Sequence, residues 1–281
     1  TYFNNLGLVI TDEQHRFGVN QRLKLKNKAV SPDVLMMSAT PIPRTYALTI
    51  YGDTDVSSIK SMPKGRKKVI TYVKKTNEVK DVLQGVYAAL KNNNQAYVIS
   101  PMIEESIDTD YTNVNDLKHK FELAFKNYKV GMLHGKMDDE EKERVMQEFK
   151  EGKINILIST TVIEVGVDVS NATVMVIFDA DRFGLSQLHQ LRGRVGRNDL
   201  QSYCYLVSDK DAQRLKIMEE ENDGYKISEA DFKLRGQGDL FGSRQSGALT
   251  FKLSDVRRDY DLLVKVRDDV NAYMKNKDFS G

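Results

Sequence analysis

Short apolar runs recur along the chain, and each is about as long as a buried β-strand. Several of them are apolar at consecutive positions, which is typical of strands that helices cover on both faces. The runs lie at 6–10, 34–40, 68–73, 96–100, 130–133, 154–160, 173–180 and 203–207. This pattern predicts a largely buried parallel sheet.

Segments with helical periodicity separate several of these runs. Residues 78–92 carry one apolar stripe. Residues 138–152 begin at Asp138, have Glu141 three positions later as in a capping box, and end at Gly152. Because strands and helices alternate, the sequence predicts an α/β fold with a doubly wound parallel sheet.

A predicted linker interrupts the alternation of strands and helices, and a tail follows it. The segment SMPKGRKK at 61–68 combines proline, glycine and basic residues, which favours a connection between domains. After about residue 208 the strand signal fades, and a helix, a glycine-rich stretch and an amphipathic helix near 255–274 follow. We therefore expect the end of one domain at 1–60, a second domain at 61–208 and a tail at 209–281.

Composition adds few constraints. The 281 residues are 40% hydrophobic, enough for one large core or two modest ones, and the net charge of +2 argues neither for nor against nucleic acid. No apolar run reaches the roughly 20 residues that cross a bilayer, so we expect a soluble, cytoplasmic protein. The chain starts at Thr1 without a leader, as if cut from a longer one. The single cysteine, Cys204, excludes an internal disulfide and predicts a buried structural thiol.

The first candidate site follows the apolar run LGLVI, which leads into Thr11 and then DEQH at 12–15. Two carboxylates at the carboxyl end of a buried strand suit phosphoryl transfer, since one can hold Mg²⁺ and the other can orient the attacking water. A surface loop that happens to contain acids explains the same four letters equally well. The motif can be interpreted only together with the other motifs of the chain.

A second motif, SATPIPRT at 38–45, also follows a predicted strand. Ser38 and Thr40 carry hydroxyl groups that can bond a carboxylate and the backbone, while the two prolines stiffen the segment that follows. Taken alone, it is an ordinary turn after a strand. Its position a few dozen residues after DEQH makes it informative.

A third motif occupies 158–177, where a strand gives way to paired threonines, a glycine and an aspartate. Thr160 and Thr161 can offer hydroxyls and amides to a phosphate, and Asp168 can accept a hydrogen bond from a ribose hydroxyl. A buried turn is the alternative.

The fourth motif is LSQLHQLRGRVGR at 185–197. Arg194 and Arg197 are three residues apart, so on a helix both side chains would point to one side. Their planar forks suit a developing phosphate charge, and Gly193 and Gly196 permit close backbone approach. Solvated arginines are the ordinary alternative, which the flanking glycines and glutamines disfavour.

In this order DEQH, SATPIPRT, TTVIEVGVDV and QLHQLRGRVGR resemble motifs II, III, V and VI of superfamily-two helicases. The strings DEQHRFGVNQR, PMIEES, LHGKM and FKLRGQGDLFGSRQSG resemble one branch of that family, which remodels forks and Holliday junctions in recombination and repair. The resemblance covers nearly the whole chain. It implies a RecA-like fold and ATP hydrolysis that drives movement on branched or duplex DNA.

The resemblance also implies roles for the residues of the first motif. Asp12 would hold Mg²⁺, Glu13 would be the catalytic base, and Gln14 and His15 would link the γ-phosphate of ATP to the second domain. In the second domain, Arg194 and Arg197 would be arginine fingers. The nucleotide-binding set there is Gly166, Asp168, Gln190, Arg194 and Arg197.

The remaining roles concern DNA and the coupling of ATP hydrolysis to movement. Thr160 and Thr161 would follow the DNA backbone, and the tail would carry the translocation element. The DNA and coupling set is Ser38, Thr40, Thr160, Thr161, Arg235, Arg244 and Gln245.

One required element is missing from the sequence. A nucleotide motor needs a loop of the form GxxxxGKS or GxxxxGKT to hold the β- and γ-phosphates. The nearest string, GMLHGKM at 131–137, has different spacing and ends in Met137. We therefore expect that loop, most of the first RecA-like domain and a branched-DNA wedge domain to precede Thr1 in a parent chain, and we expect this chain alone not to hydrolyse ATP.

Two alternatives stay open at the level of sequence. The transcription-repair coupling translocase shares the LRGRVGR block and a similar tail, but the resemblance gives it tyrosine where His189 stands. A non-enzymatic module that binds nucleic acid on the same fold is the alternative from another class. Such a module would not need the catalytic base that Glu13 would supply.

Overall fold

The computed structural model describes residues 6–12, 32–37, 57, 59, 65–101, 107–160, 169–210 and 212–234, together with 262, 265, 266, 269, 270 and 273. Many of the site residues predicted above lie outside these ranges. They are Glu13, Gln14, His15, Ser38, Thr40, Thr161, Gly166, Asp168, Arg235, Arg244 and Gln245.

The described strands form two parallel sheets. Strands β1 (Leu8–Thr11) and β2 (Asp33–Met36) pair with each other in a two-stranded sheet. The larger sheet has six strands in the order β3-β8-β7-β4-β6-β5, and every pairing in it is parallel. Its strands are β3 (Ile70–Lys74), β4 (Gln95–Ile99), β5 (Val130–Leu133), β6 (Ile156–Ser159), β7 (Ala172–Phe178) and β8 (Tyr203–Val207).

Six helices accompany these strands in the described residues. They are α1 (Val79–Lys91), α2 (Ile107–Ala124), α3 (Asp139–Lys150), α4 (Leu185–Arg192), α5 (Ala212–Glu220) and α6 (Gly224–Leu234), with short 3₁₀ turns at Thr76–Glu78 and Ala180–Arg182. The chain divides into two compact units, 1–41 with 63–227 and 42–62 with 228–281. Both sheets and helices α1 to α5 belong to the first unit.

Helices cover both faces of the six-stranded sheet, as strand β4 shows. Ala96 and Val98 pack into a cluster with residues of α1 and α2. Tyr97 and Ile99, which point to the opposite face, pack with residues of α3, α4 and α5. All five residues of β4 are buried. The predicted doubly wound sheet is therefore confirmed.

The capping residues identified in the sequence mark the start and the end of helix α3 correctly. The Asp138 side chain accepts a hydrogen bond from the Glu141 backbone N–H, with Oδ1 2.7 Å from N, which satisfies a free donor at the start of the helix. The helix ends at Lys150, and Gly152 follows in the left-handed region with a φ of 75°. Helices α2 and α6 have no counterpart in the predicted elements.

No helix in the described part of the chain is long and apolar enough to span a membrane. Cys204 is buried in β8, as predicted, and burial raises the pKa of its thiol to about 12.

Candidate functional site

Thr160, the first described residue after β6, lies at the carboxyl ends of the strands of the six-stranded sheet. In a parallel sheet these ends meet at one edge, where loops of different strands can combine. Thr160 follows β6 directly, and its backbone N–H donates to the Leu133 carbonyl at the end of β5, 3.2 Å away. Thr160 is only 4% exposed. The start of the third motif is thus tied to the loop that follows β5.

Helix α4 carries the fourth motif and begins soon after β7. The Gln187 side chain accepts a hydrogen bond from the Gly184 backbone N–H at 3.0 Å, which caps the helix start. Leu185, Leu188 and Leu191 are fully buried against the sheet. This apolar face fixes the rotation of the helix, and Gln190 lies half-buried beside it.

The predicted placement of Arg194 and Arg197 on one helical face is wrong. Helix α4 ends at Arg192, and Gly193 is its C-cap. The next residues form a turn in which the Arg194 N–H donates to the Leu191 carbonyl at 3.0 Å. Gly196 has a φ of 71°, a left-handed conformation that glycine adopts without strain and that ends the helical path. We call residues 193–197 the arginine turn.

Within the arginine turn, the two arginines differ in exposure. Arg194 is half-buried and Arg197 is exposed, while Val195 between them is fully buried. The Arg197 Nε donates to the Gly193 carbonyl at 3.1 Å. Asn198, the residue after the turn, donates from its side chain to the Ser170 carbonyl within the third motif, just before β7. The turn is anchored at its centre and ends, and it presents Arg197 to solvent.

Arg192, the last residue of α4, has a structural role beside the arginine turn that the sequence reasoning missed. It is 3% exposed, and its Nη1 donates to the carbonyls of Met218 at 2.7 Å and Glu221 at 2.9 Å and to the Thr71 hydroxyl at 3.3 Å. Nη2 lies 3.4 Å from the Asn222 carbonyl. Because these carbonyls end helix α5 or follow it, the guanidinium cation stabilises the negative end of that helix. Its position four residues after Leu188 is the signal that could have revealed it.

His189 packs next to Arg192. Its Nδ1 lies 3.2 Å from Arg192 Nη2. Burial, helped by the Arg192 charge and opposed by Asp223, lowers the pKa of the imidazole to about 4. His189 is therefore neutral at physiological pH.

Asp12 stands at the carboxyl end of β1, in the two-stranded sheet. Its side chain is exposed, whereas Thr11 before it is buried. The Met37 N–H donates to the Thr11 carbonyl at 2.8 Å, which extends the pairing of β1 and β2 to this point. The described residues contain no group of three or more His, Cys, Asp or Glu side chains that could hold a metal without other ligands.

Comparison with protein families identifies two segments of the chain. Residues 74–199 match the helicase conserved C-terminal domain. Residues 221–280 match domain 3, C-terminal, of the ATP-dependent DNA helicase RecG. The first match contains strands β4 to β7 and the arginine turn, together with the last residue of β3.

Close relatives cover nearly the whole chain. The RecG of Bacillus subtilis is 53% identical over 272 residues, which are 95% of this chain and 40% of the relative. The RecG of Staphylococcus epidermidis is 51% identical over 282 residues, 99% of this chain and 41% of the relative. The chain thus spans about 40% of the length of the curated relatives it matches.

Solved structures agree with this assignment. A structure of RecG bound to a three-way DNA junction aligns with 93% of this chain and 34% of that chain, at a TM-score of 0.72 and 45% identity. A structure of yeast Dbp5 bound to RNA and ADP BeF3 aligns with a TM-score of 0.53 and 18% identity, which supports the RecA-like helicase fold alone. The motifs left two branches possible, the fork-remodelling helicases and the transcription-repair coupling translocase. The match at 221–280 and these relatives favour the first branch. The chain belongs to the RecG family and corresponds to its C-terminal portion.

Proposed function

We propose that this chain is the rear part of an ATP-dependent DNA helicase that remodels branched DNA by fork regression and Holliday junction processing. The observation that carries the proposal is the extent of the similarity, 53% identity over 95% of the chain to a RecG helicase. The solved RecG with a three-way DNA junction supports branched DNA as the partner. Recombination and repair are the processes that need this activity.

The domain division belongs to the same proposal. Residues 1–60 are the end of a first RecA-like domain, 61–208 are the second, and 209–281 are a coupling tail. The two-stranded sheet supports the first assignment, since Leu8, Ile10, Val34 and Leu35 are all more than 40% exposed. Parallel strands are normally buried on both faces, so these strands fit as part of a larger sheet.

Asp12 has the properties that a Mg²⁺ ligand needs. Mg²⁺ is usually held by one or two carboxylates together with substrate phosphates, and an exposed carboxylate at the end of a parallel strand matches that arrangement. When bound, the cation neutralises charge on the phosphates of ATP. Glu13, the next residue, is the proposed base, and Gln14 and His15 are the proposed sensors of the γ-phosphate.

The arginine turn supplies positive charge to the other side of the nucleotide in this proposal. Arg197 is exposed, and the buried Val195 holds the backbone of the turn in place. The guanidinium therefore reaches solvent from a fixed backbone position. Arginine forks bind phosphate oxygens through two parallel hydrogen bonds. Arg194 is the second finger, and Gln190, Gly166 and Asp168 complete the nucleotide contacts.

The DNA and coupling residues stay as the motifs predict them. Thr160 and Thr161 are part of the track along the DNA backbone; because Thr160 is buried, it contributes by holding the track in place. Ser38 and Thr40 connect ATP hydrolysis to DNA movement. In the tail, Arg235, Arg244 and Gln245 form the translocation element.

Steady-state phosphate release with forked DNA tests the proposal. The full-length helicase should hydrolyse ATP and regress forks, and Glu13→Gln should abolish both activities. This chain alone contains no GxxxxGKS or GxxxxGKT loop, so it should release phosphate more slowly than about 1 s⁻¹, an ordinary enzyme rate. A full-length protein that binds forks without DNA-stimulated hydrolysis would instead be a non-enzymatic binding module.

A further inference from the structure

The segment that leads into β3 runs beside the arginine turn and the residues after it. The Ile70 N–H donates to the Ser202 carbonyl at 3.0 Å, and the Gln201 side-chain amide donates to the Lys68 carbonyl at 2.9 Å. These contacts continue the pairing of β3 with β8 beyond the sheet. The end of the predicted linker at 61–68 is therefore attached to the chain that follows the arginines.

Arg66 makes the contact nearest to the arginines. Its Nε donates to the Gly196 carbonyl at 2.7 Å, across 130 positions of sequence. Gly196 lies between Arg194 and Arg197, and its left-handed φ of 71° turns the chain there. A hydrogen bond from a charged donor is stronger than a neutral one, so this contact holds the carbonyl at the middle of the turn.

Close packing surrounds this hydrogen bond. A Cβ atom at Gly196 would lie 2.8 Å from Val69 Cγ2, a distance that real Cβ atoms do not tolerate. A Cβ atom at Gly65 would lie 3.1 Å from Asp199 Oδ1. Val69 is itself buried. On both sides of Arg66 the two segments are in contact, Gly65 with the Asp199 side chain and Val69 with Gly196.

We propose that Arg66 is a positioning residue for the arginine fingers. Its guanidinium fixes the Gly196 carbonyl, and through it the direction in which Arg194 and Arg197 leave the turn. Because Arg66 belongs to the predicted interdomain linker, a movement of the linker is transmitted to the fingers through this contact. The inference rests on the proposed function, which makes the two arginines fingers.

The basic run around Arg66 offers a matched control. Lys67, the next residue, is exposed, whereas Arg66 is half-buried against the turn. If the two residues only formed a solvated basic face, substituting either one would have the same effect. The hydrogen bond to Gly196 distinguishes Arg66 from Lys67, and the melting temperature separates a positioning role from a purely structural one.

The experiment measures DNA-stimulated ATP hydrolysis by the full-length helicase and its variants Arg66→Gln, Arg66→Lys and Lys67→Gln. We expect Arg66→Gln to lower kcat about tenfold, the effect of losing one hydrogen bond from a charged donor, with KM for ATP and the melting temperature unchanged. Arg66→Lys should recover most of the turnover, because an ammonium group can also donate to one carbonyl. Lys67→Gln should behave as the parent. Equal losses in Arg66→Gln and Lys67→Gln, or a parallel fall in melting temperature, would overturn the inference.

A double-mutant cycle with Arg197→Ala separates this inference from the proposed function. If Arg66 acts through the fingers, adding Arg66→Gln to Arg197→Ala should change single-turnover hydrolysis less than about twofold. An additional tenfold loss would mean that Arg66 acts independently and would overturn the inference. Full activity of Arg197→Ala and Arg194→Ala would instead refute the finger assignment itself.

Discussion

Arg192 donates a hydrogen bond to His189, with Nη2 3.2 Å from Nδ1. A guanidinium has no acceptor, so the ring nitrogen that faces it has to be unprotonated. The neutral imidazole then carries its proton on Nε2. Protonation of Nδ1 would place two cations in contact inside a mostly buried site.

This arrangement makes the stability of the fold sensitive to acid. The pKa of His189 is lowered to about 4 in the folded chain, against an ordinary value of 6.5 for histidine. Between these values the unfolded chain binds the proton and the folded chain does not, so stability falls as pH decreases from about 6.5 to about 4. We expect a loss on the order of 2–3 kcal/mol by pH 4 from this residue.

Urea unfolding of the chain between pH 7 and pH 4 measures this loss. The His189→Gln variant should show a smaller decrease in the free energy of unfolding over that range. His119→Gln is the matched control for the substitution, since His119 is exposed on α2. Parallel pH profiles for the parent and His189→Gln would show that His189 titrates normally.

A second prediction concerns the stability contributed by Arg192. Replacing it with methionine keeps much of the apolar stem but removes the donors to the Met218 and Glu221 carbonyls. Buried carbonyls without partners are costly, so we expect a loss of about 2–4 kcal/mol. Amide hydrogen exchange should accelerate at the end of α5, which these bonds hold.

The control for Arg192 is Arg182→Met, because Arg182 is exposed in the 3₁₀ turn before α4. It should change the free energy of unfolding by less than about 0.5 kcal/mol. Equal effects of the two substitutions would mean that the hydrogen bonds of Arg192 contribute nothing beyond its charge.

The sequence predicted those parts of the fold that local physics determines. Buried strands of a parallel sheet need consecutive apolar residues, and every predicted strand has a counterpart among the eight strands of the described residues. Asp138 and Gly152 likewise marked the ends of α3, since capping depends on neighbouring backbone groups. Helix α6 was missed because its segment, Gly224–Leu234, begins with glycine, which is a poor helix former and more often follows the end of a helix.

The site was harder to predict because its geometry depends on distant contacts. The spacing of Arg194 and Arg197 suited a helix, but Gly193 ended α4 and Gly196 turned the chain. Arg66 lies outside the four motifs, and Arg192 lies inside the fourth motif but had no predicted role. Arg66 contacts Gly196, and Arg192 contacts Met218 and Glu221. These partners are distant in sequence and become neighbours only in the folded chain.

A third prediction tests the tail, whose Arg235 and Gln245 lie outside the described residues. If the tail couples hydrolysis to movement, Arg235→Ala and Gln245→Ala in the full-length helicase should retain most ATP hydrolysis while fork unwinding falls sharply. Both activities and the melting temperature are measured on the same preparations. A parallel fall of all three would mean that these side chains only hold the tail in place.

The last prediction concerns Arg197 as a finger. Arg197→Lys keeps the positive charge but loses the planar fork that binds two phosphate oxygens, and it also loses the Nε–H that donates to Gly193. Removing an arginine finger costs roughly 10³- to 10⁵-fold in rate, so a lysine that retains the charge should lower kcat by at least about 100-fold. The dissociation constant for forked DNA should change little, because the effect is on hydrolysis. Arg182→Lys provides the comparison, as an exposed arginine outside the turn that should keep full turnover. If Arg197→Lys also keeps full turnover, the exposed side chain has a structural or solvating role, and the positive charge near the phosphates must come from Arg194.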